Sequence, residues 1–240
     1  MSTKRIWEVL AAALVAYALA ASLAWGGTQA TSSTTVATII TRAQQDINDA
    51  SGNFFTSAES IRWINEAVEI IASQSRCLET SENATLLNGQ MAYTISTSHY
   101  DIESVLYDSG LSTDPQRYSF LNKVDIRDLH LLSKEKGRPT YWWEWNDNLH
   151  VWPVPGSGQN ATTVQAFMIE KPTAITSTSD TIPTPYYMDH LILLYMKARY
   201  YEKGERPATA NYYRSLFEQR MAFYRGEVRQ NLVEPKEDAQ

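Results

Sequence analysis

GRPTYWWEWNDNLHVWPVP, residues 137–155, holds four of the chain's seven tryptophans, and its reading decides the fold. Gly137 can stop a preceding helix, and Pro139 keeps Arg138 extended. The aromatic run Tyr141–Trp145 favours strand, Asn146, Asp147 and Asn148 tolerate left-handed backbone, and Leu149 to Trp152 returns, which predicts a β-hairpin. A three-residue loop pairing Trp145 with Leu149 puts Tyr141, Trp143, Trp145, Leu149 and Val151 on one face. The other face takes Trp142, Glu144, His150 and Trp152, with Trp142 opposite Trp152 and Glu144 opposite His150. A tryptophan buries roughly 150–250 Å², so at about 25 cal/mol per Å² this second face represents up to on the order of 10 kcal/mol, an upper bound. One face can lie on the chain's own core; the other needs a cover. That cover is the chain's own helices, a stacked sugar ring or another protein subunit. Sugar platforms need several nearby polar groups, and here only Glu144, His150 and Arg138 are candidates, which favours protein.

Outward from the hairpin, the chain divides by period. Residues Gly26 to Thr35 are Gly, Thr and Ser rich and read as a linker, and a first helix is expected over 36–49. Thr56-Ser57-Ala58-Glu59 has capping-box spacing and opens a helix over 57–75 with Ile61, Ile64, Val68 and Ile71 in one stripe. From residue 84 the period becomes two. Asn88-Gly89 between ATL and MAYTI predicts a tight hairpin, residues 103–107 a third strand, and Val164 to Ile169 another, with a short helix from Lys123 to Lys136. The run from Thr173 to Thr181 reads as loop. Thr184-Pro185 reopens helix over 185–203, ending at Gly204, and a last helix is expected over 208–229. These elements predict an α+β, mainly α fold: a bundle of about four helices with a β-hairpin-rich insertion at 84–170, flanked by residues 1–34 and a polar tail, 231–240.

The chain's 240 residues and 43% hydrophobic content suffice for a large core. Twenty-one basic against 27 acidic residues give a net charge of −6, which disfavours a surface gripping nucleic-acid phosphates. The single Cys77 excludes an internal disulfide and any cysteine-based zinc site. The four histidines, His99, His130, His150 and His190, stand far apart, and no spacing matches a metal site, phosphate loop or nucleophile elbow. Asn146-Asp147-Asn148 lacks the glycine and bidentate glutamate of a calcium loop. No cofactor, metal or catalytic residue is therefore expected. At the N-terminus Lys4 and Arg5 precede an apolar run, Val9 to Trp25, broken only by Ser22. It reads either as a cleaved export signal, with Thr28-Gln29-Ala30 as a loose cleavage context, or as a retained Ala-rich helix packed within an assembly. Its length of about 17 residues is short of the roughly 20 a membrane span needs.

The WINEAVEIIA helix (63–72), the NGQMAYTI stretch (88–95), the tryptophan segment, the pattern Thr181, Pro183, Pro185, Tyr186, Tyr187, Asp189, His190 and the paired C-terminal helices together resemble head-to-tail adaptor proteins of tailed bacteriophages, also called connector or head-completion proteins. The likeness covers roughly residues 35–230. It implies a non-enzymatic virion protein at the head–tail junction, assembled in the host cytoplasm as a ring, in that family a dodecamer, beneath the capsid portal. Such a ring extends the channel through which DNA passes without sequence-specific binding and presents a platform for a tail or nozzle protein. The resemblance puts the C-terminal segment, about 225–240, on the portal. The residues expected to act are Trp142, Glu144, His150 and Trp152 at the subunit interface and Arg225, Leu232, Val233 and Pro235 in portal docking. The alternative is an exported carbohydrate-binding protein using the same tryptophans.

Overall fold

The computed structural model describes residues 32–49, 51–52, 54–114, 116–131 and 136–230. The expectations for residues 1–30, for Leu232, Val233 and Pro235, and for residues 132–135 lie outside them. Helices α1 (Val36–Asp46) and α2 (Ser57–Ser75) precede eight strands, and α3 (Asp189–Lys203) and α4 (Pro207–Gln230) follow them. Local chemistry explains the helix starts. The Thr35 hydroxyl accepts from the Thr38 amide at 3.3 Å. Thr56 and Glu59 form the capping box their spacing predicts, each satisfying an amide left open by the first turn. Pro207 opens α4, where its missing N–H costs nothing. Val36, Ile39, Ile40 and Ala43 of α1 and Trp63, Ile64, Ala67, Val68 and Ile71 of α2 are buried at helical spacing against Leu191, Ile192, Met196 and Tyr200 of α3 and Phe217 and Met221 of α4.

The loop after the last strand completes this helical core. It contributes Ile175 and Ile182. Asn65 of α2 clamps the loop with both ends of its amide, donating to the Ile175 carbonyl at 2.8 Å and accepting from the Ile175 amide at 2.9 Å. The Asp180 and Thr178 carbonyls take the Val36 and Ala37 amides, both at 2.9 Å, so the loop also caps α1.

The strands form two four-stranded sheets. In the first, β1 (Glu79–Thr85), β8 (Thr163–Glu170), β3 (His99–Asp108) and β4 (Tyr118–Phe120) lie side by side, all antiparallel. In the second, β2 (Ala92–Thr94), β7 (Asn148–Trp152) and β6 (Tyr141–Trp145) are antiparallel and β5 (Asn122–Lys123) adds parallel to β6. Ile102, Val105, Tyr107, Val164, Ala166 and Met168 from the first sheet and Tyr93, Trp142, Leu149 and Val151 from the second share one buried core. A β-sandwich thus stands beside a helical core of its own.

The expected mainly α bundle is therefore corrected. Among the described residues two four-stranded sheets stand beside four α-helices. Two local readings account for the error. Asn88-Gly89 does turn the chain, with Gly89 at φ 81° and the Gln90 amide donating to the Leu87 carbonyl at 3.0 Å. Yet β1 and β2 on either side pair with β8 and β7 in different sheets, so the turn joins sheets rather than closing a hairpin. The expected helix from Lys123 is instead the end of β5 and a short 3-10 helix, Ile126–Leu131.

Candidate interaction surfaces

The tryptophan hairpin forms, with its register one residue from the expected one. Asn146 and Asp147 both take left-handed backbone, φ 53° and 56°, giving a tight two-residue turn that pairs Trp145 with Asn148. A slip of one residue exchanges the faces of the returning strand. Trp142 lies opposite Val151 and Glu144 opposite Leu149, facing inward, while Tyr141, Trp143 and Trp145 lie opposite Trp152, His150 and Asn148, facing outward.

The inward face builds the sandwich. Trp142 is 1% exposed, and the Lys123 ammonium sits 4.9 Å from its ring centroid. Glu144 accepts from His99 Nε2 at 3.1 Å, and His99 Nδ1 lies 2.7 Å from the Thr97 carbonyl. Both ring nitrogens thus face acceptors, so the two bonds are donated together only when the ring carries two protons. The pair ties β3 of one sheet to β6 of the other.

The outward face is aromatic, and Trp143 on it is only 4% exposed. Trp143 stacks on His150 with centroids 5.0 Å apart and planes 16° from parallel. Burial pushes the His150 imidazole below its ordinary pKa, favouring the neutral ring in that stack. Trp143 Nε1 and His150 Nδ1 are buried and make no hydrogen bond. Trp145 is 62% exposed, and Tyr141 and Trp152 are half-buried. Of the four residues expected at a subunit interface, the hairpin brings His150 and Trp152 onto the outward face and turns Trp142 and Glu144 into the sandwich. Sequence reasoning missed that Tyr141, Trp143 and Trp145 share a face with His150 and Trp152. The signal was Asn146-Asp147 itself, a dipeptide suited to a two-residue turn.

The helices carry a second exposed surface. Tyr186 and Tyr187, in the 3-10 turn just before α3, and Tyr212 and Phe223 on α4 are all exposed, and Tyr187 stacks on Tyr224 at 5.9 Å. Between α2, α3 and α4 runs a cleft of about 550 Å³ with Ile70, Phe217 and Met221 as its apolar wall and Arg199, Arg214 and Arg225 at its edge. Arg199 donates to Glu66 at 2.7 Å and to Glu202 at 3.1 Å, and Arg214 pairs with Glu202. Burial raises the Glu66 carboxyl, but hydrogen bonds from Arg199 and Tyr195 more than offset this and hold it below its ordinary value. Arg225, the one expected docking residue among those described, is exposed and bonds the Gln74 side chain.

Among the described residues no cluster of three His, Cys, Asp or Glu is placed to hold a metal ion, and no helix is long and apolar enough to cross a membrane. What the geometry offers is surface for other proteins: an aromatic sheet face and an aromatic helical face on a two-core scaffold. Residues 34–234 match the model of the SU10 adaptor protein family, a family of phage head–tail adaptors. The chain belongs to that family. Curated proteins give no match. Family membership makes the chain a bacteriophage adaptor, a virion component of the head–tail region that contacts other virion proteins; such families are typically structural rather than enzymatic.

Proposed function

We propose that this adaptor is the protomer of a closed ring that joins the capsid portal to the tail and continues the DNA channel. The outward face of the second sheet carries the reading: half-buried Tyr141, His150 and Trp152 and exposed Trp145 surround Trp143, which is itself 4% exposed, and form an aromatic patch with Trp145 at its tip. Covering Trp145 alone removes enough apolar area to contribute about 2–4 kcal/mol at each contact, and a ring repeats that contact at every protomer. Trp142 and Glu144 act from beneath, the first by filling the sandwich and the second by holding His99, so that the patch is rigid before docking. The net charge of −6 suits a conduit, since an acidic wall repels DNA and lets it slide without sequence-specific binding. Arg225 and the following Leu232, Val233 and Pro235 dock the portal. Electron microscopy of the chain mixed with its portal tests the proposal. A stacked annulus beneath the portal is expected; bare portals beside free chains would contradict it.

A further inference from the structure

A face that joins protomers in a ring cannot meet its own copy. A patch paired with itself about a two-fold axis is used up at the dimer, whereas a ring repeats a contact between two different surfaces. Charge also separates the chain into two unlike bodies. Residues 79–170, which form the sandwich, include 12 acidic against six basic residues, and residues 189–230, which form the last two helices, include eight basic against five acidic. Sandwich on sandwich sets two negative bodies together; sandwich on helices sets opposite signs together.

The sandwich supplies a projecting group. Trp145 is 62% exposed and ends β6 at the tight turn, with exposed Asp147 two residues on. The strand is anchored from beneath by Trp142 and by the Glu144–His99 bond, so the indole is presented at little ordering cost. The helices supply a recess. The cleft between α2, α3 and α4, of about 550 Å³, exceeds the recess beside His190, about 450 Å³, and the one beside Phe54, about 390 Å³. Of these three it alone sets an apolar wall, Ile70, Phe217 and Met221, beside more than one guanidinium. Arg199 is held by Glu66 and Glu202, and Arg214 by Glu202, yet the two arginine side chains stay 36% and 48% exposed. A carboxylate binds a guanidinium along its edge, so this pairing fixes the group and leaves its faces free to lie on an aromatic ring.

We propose, resting on the ring reading, that Trp145 of each protomer inserts into the α2–α3–α4 cleft of the next, its indole on Ile70, Phe217 and Met221 and against the Arg199 and Arg214 guanidiniums. The two surfaces lie on different cores, so one chain presents both at once. The test mixes two full-length variants with the portal and reads particle mass. Trp145→Ser removes the projecting ring and keeps the cleft; Ile70→Glu with Arg214→Glu bars the cleft to an indole and keeps the ring. Each alone is expected to lose the multi-copy species that the parent forms. Their mixture is expected to recover one contact, giving a pair of chains that grows no further, because one partner then lacks the ring and the other the cleft. In a second measurement p-benzoylphenylalanine replaces Trp145 in an otherwise parental chain, and irradiation is expected to join two chains at the peptide containing Met221; this holds the test open if the cleft variant does not fold. Particles of parental mass from either variant, no pair from the mixture of folded variants, or a cross-link to the second chain's hairpin or to the portal would each overturn the inference while parental particles of ring mass leave the ring reading standing. A parent that forms no multi-copy particle ends both.

Discussion

The two cores answer to different kinds of information. In the helical half, the choices that define each helix are local, although its packing is not. Thr35 and Thr56 cap within three residues, and the stripe Ile64, Ala67, Val68, Ile71 is set by the helix repeat alone. In the sandwich, the pairings of β6 with β7 and of β3 with β4 join neighbours in the chain, but the others are non-local: β1 finds β8 across Leu86 to Thr162, and β3 finds the same strand from its other side. The helical half tolerates a shifted boundary. The sheet half does not, since one residue of register decides which tryptophan is core and which is surface.

The strongest way to break this comparison is to empty each core in turn. Trp142→Ala is expected to cost about 3–5 kcal/mol and Leu191→Ala about 2–5 kcal/mol, read by chemical denaturation with near-ultraviolet and far-ultraviolet dichroism together. Arg76 at the end of α2 bonds Asp101 and Glu103 of β3 at 3.1 and 3.0 Å and joins the halves. Both probes should therefore report one transition in each variant; two separated transitions would show that the cores unfold independently. A smaller effect is expected at the helix cap. Thr56→Ala should lower stability by about 1 kcal/mol, with the loss recovered by Thr56→Ser but not by Thr56→Val.

Acid sharpens the same point. Hydrogen bonds from Lys203 and then Thr56 lower the Glu59 carboxyl from 4.5 to about 2. A carboxyl lowered in the folded state contributes stability that is full above its unfolded pKa and lost as pH falls through the folded one. Glu59→Gln should therefore lower the melting temperature at neutral pH and flatten its fall between pH 4.5 and 2, where the parent loses the same contribution. An unchanged acid slope would remove Glu59 from the helical half's account. The smallest effect on the isolated chain belongs to Trp145→Ala, expected within about 0.5 kcal/mol of the parent because the side chain is exposed.

This contrast also explains what the sequence made legible. The capping box, the apolar stripes, the strands themselves and the adaptor resemblance all rest on short segments read in order. Strand partners do not. Asn88-Gly89 signals a turn, but nothing within reach of it says that β1 will join β8, and so a sandwich read as a hairpin-rich insertion in a bundle. At the hairpin, the need for cover was visible from tryptophan density alone. Which side chains share a face depends on the two-residue turn, which moves Trp142 and Glu144 inside and sets His150 and Trp152 with Tyr141, Trp143 and Trp145.

Whether that outward aromatic face joins identical copies is most directly tested by the mass of the assembled particle. A Trp145→Ser, Trp152→Ser double variant is mixed with the portal, and the parent chain serves as reference. The account predicts dichroism close to that of the parent and loss of the multi-copy species, leaving single protomers. A variant that still forms particles of the parent's mass would contradict it.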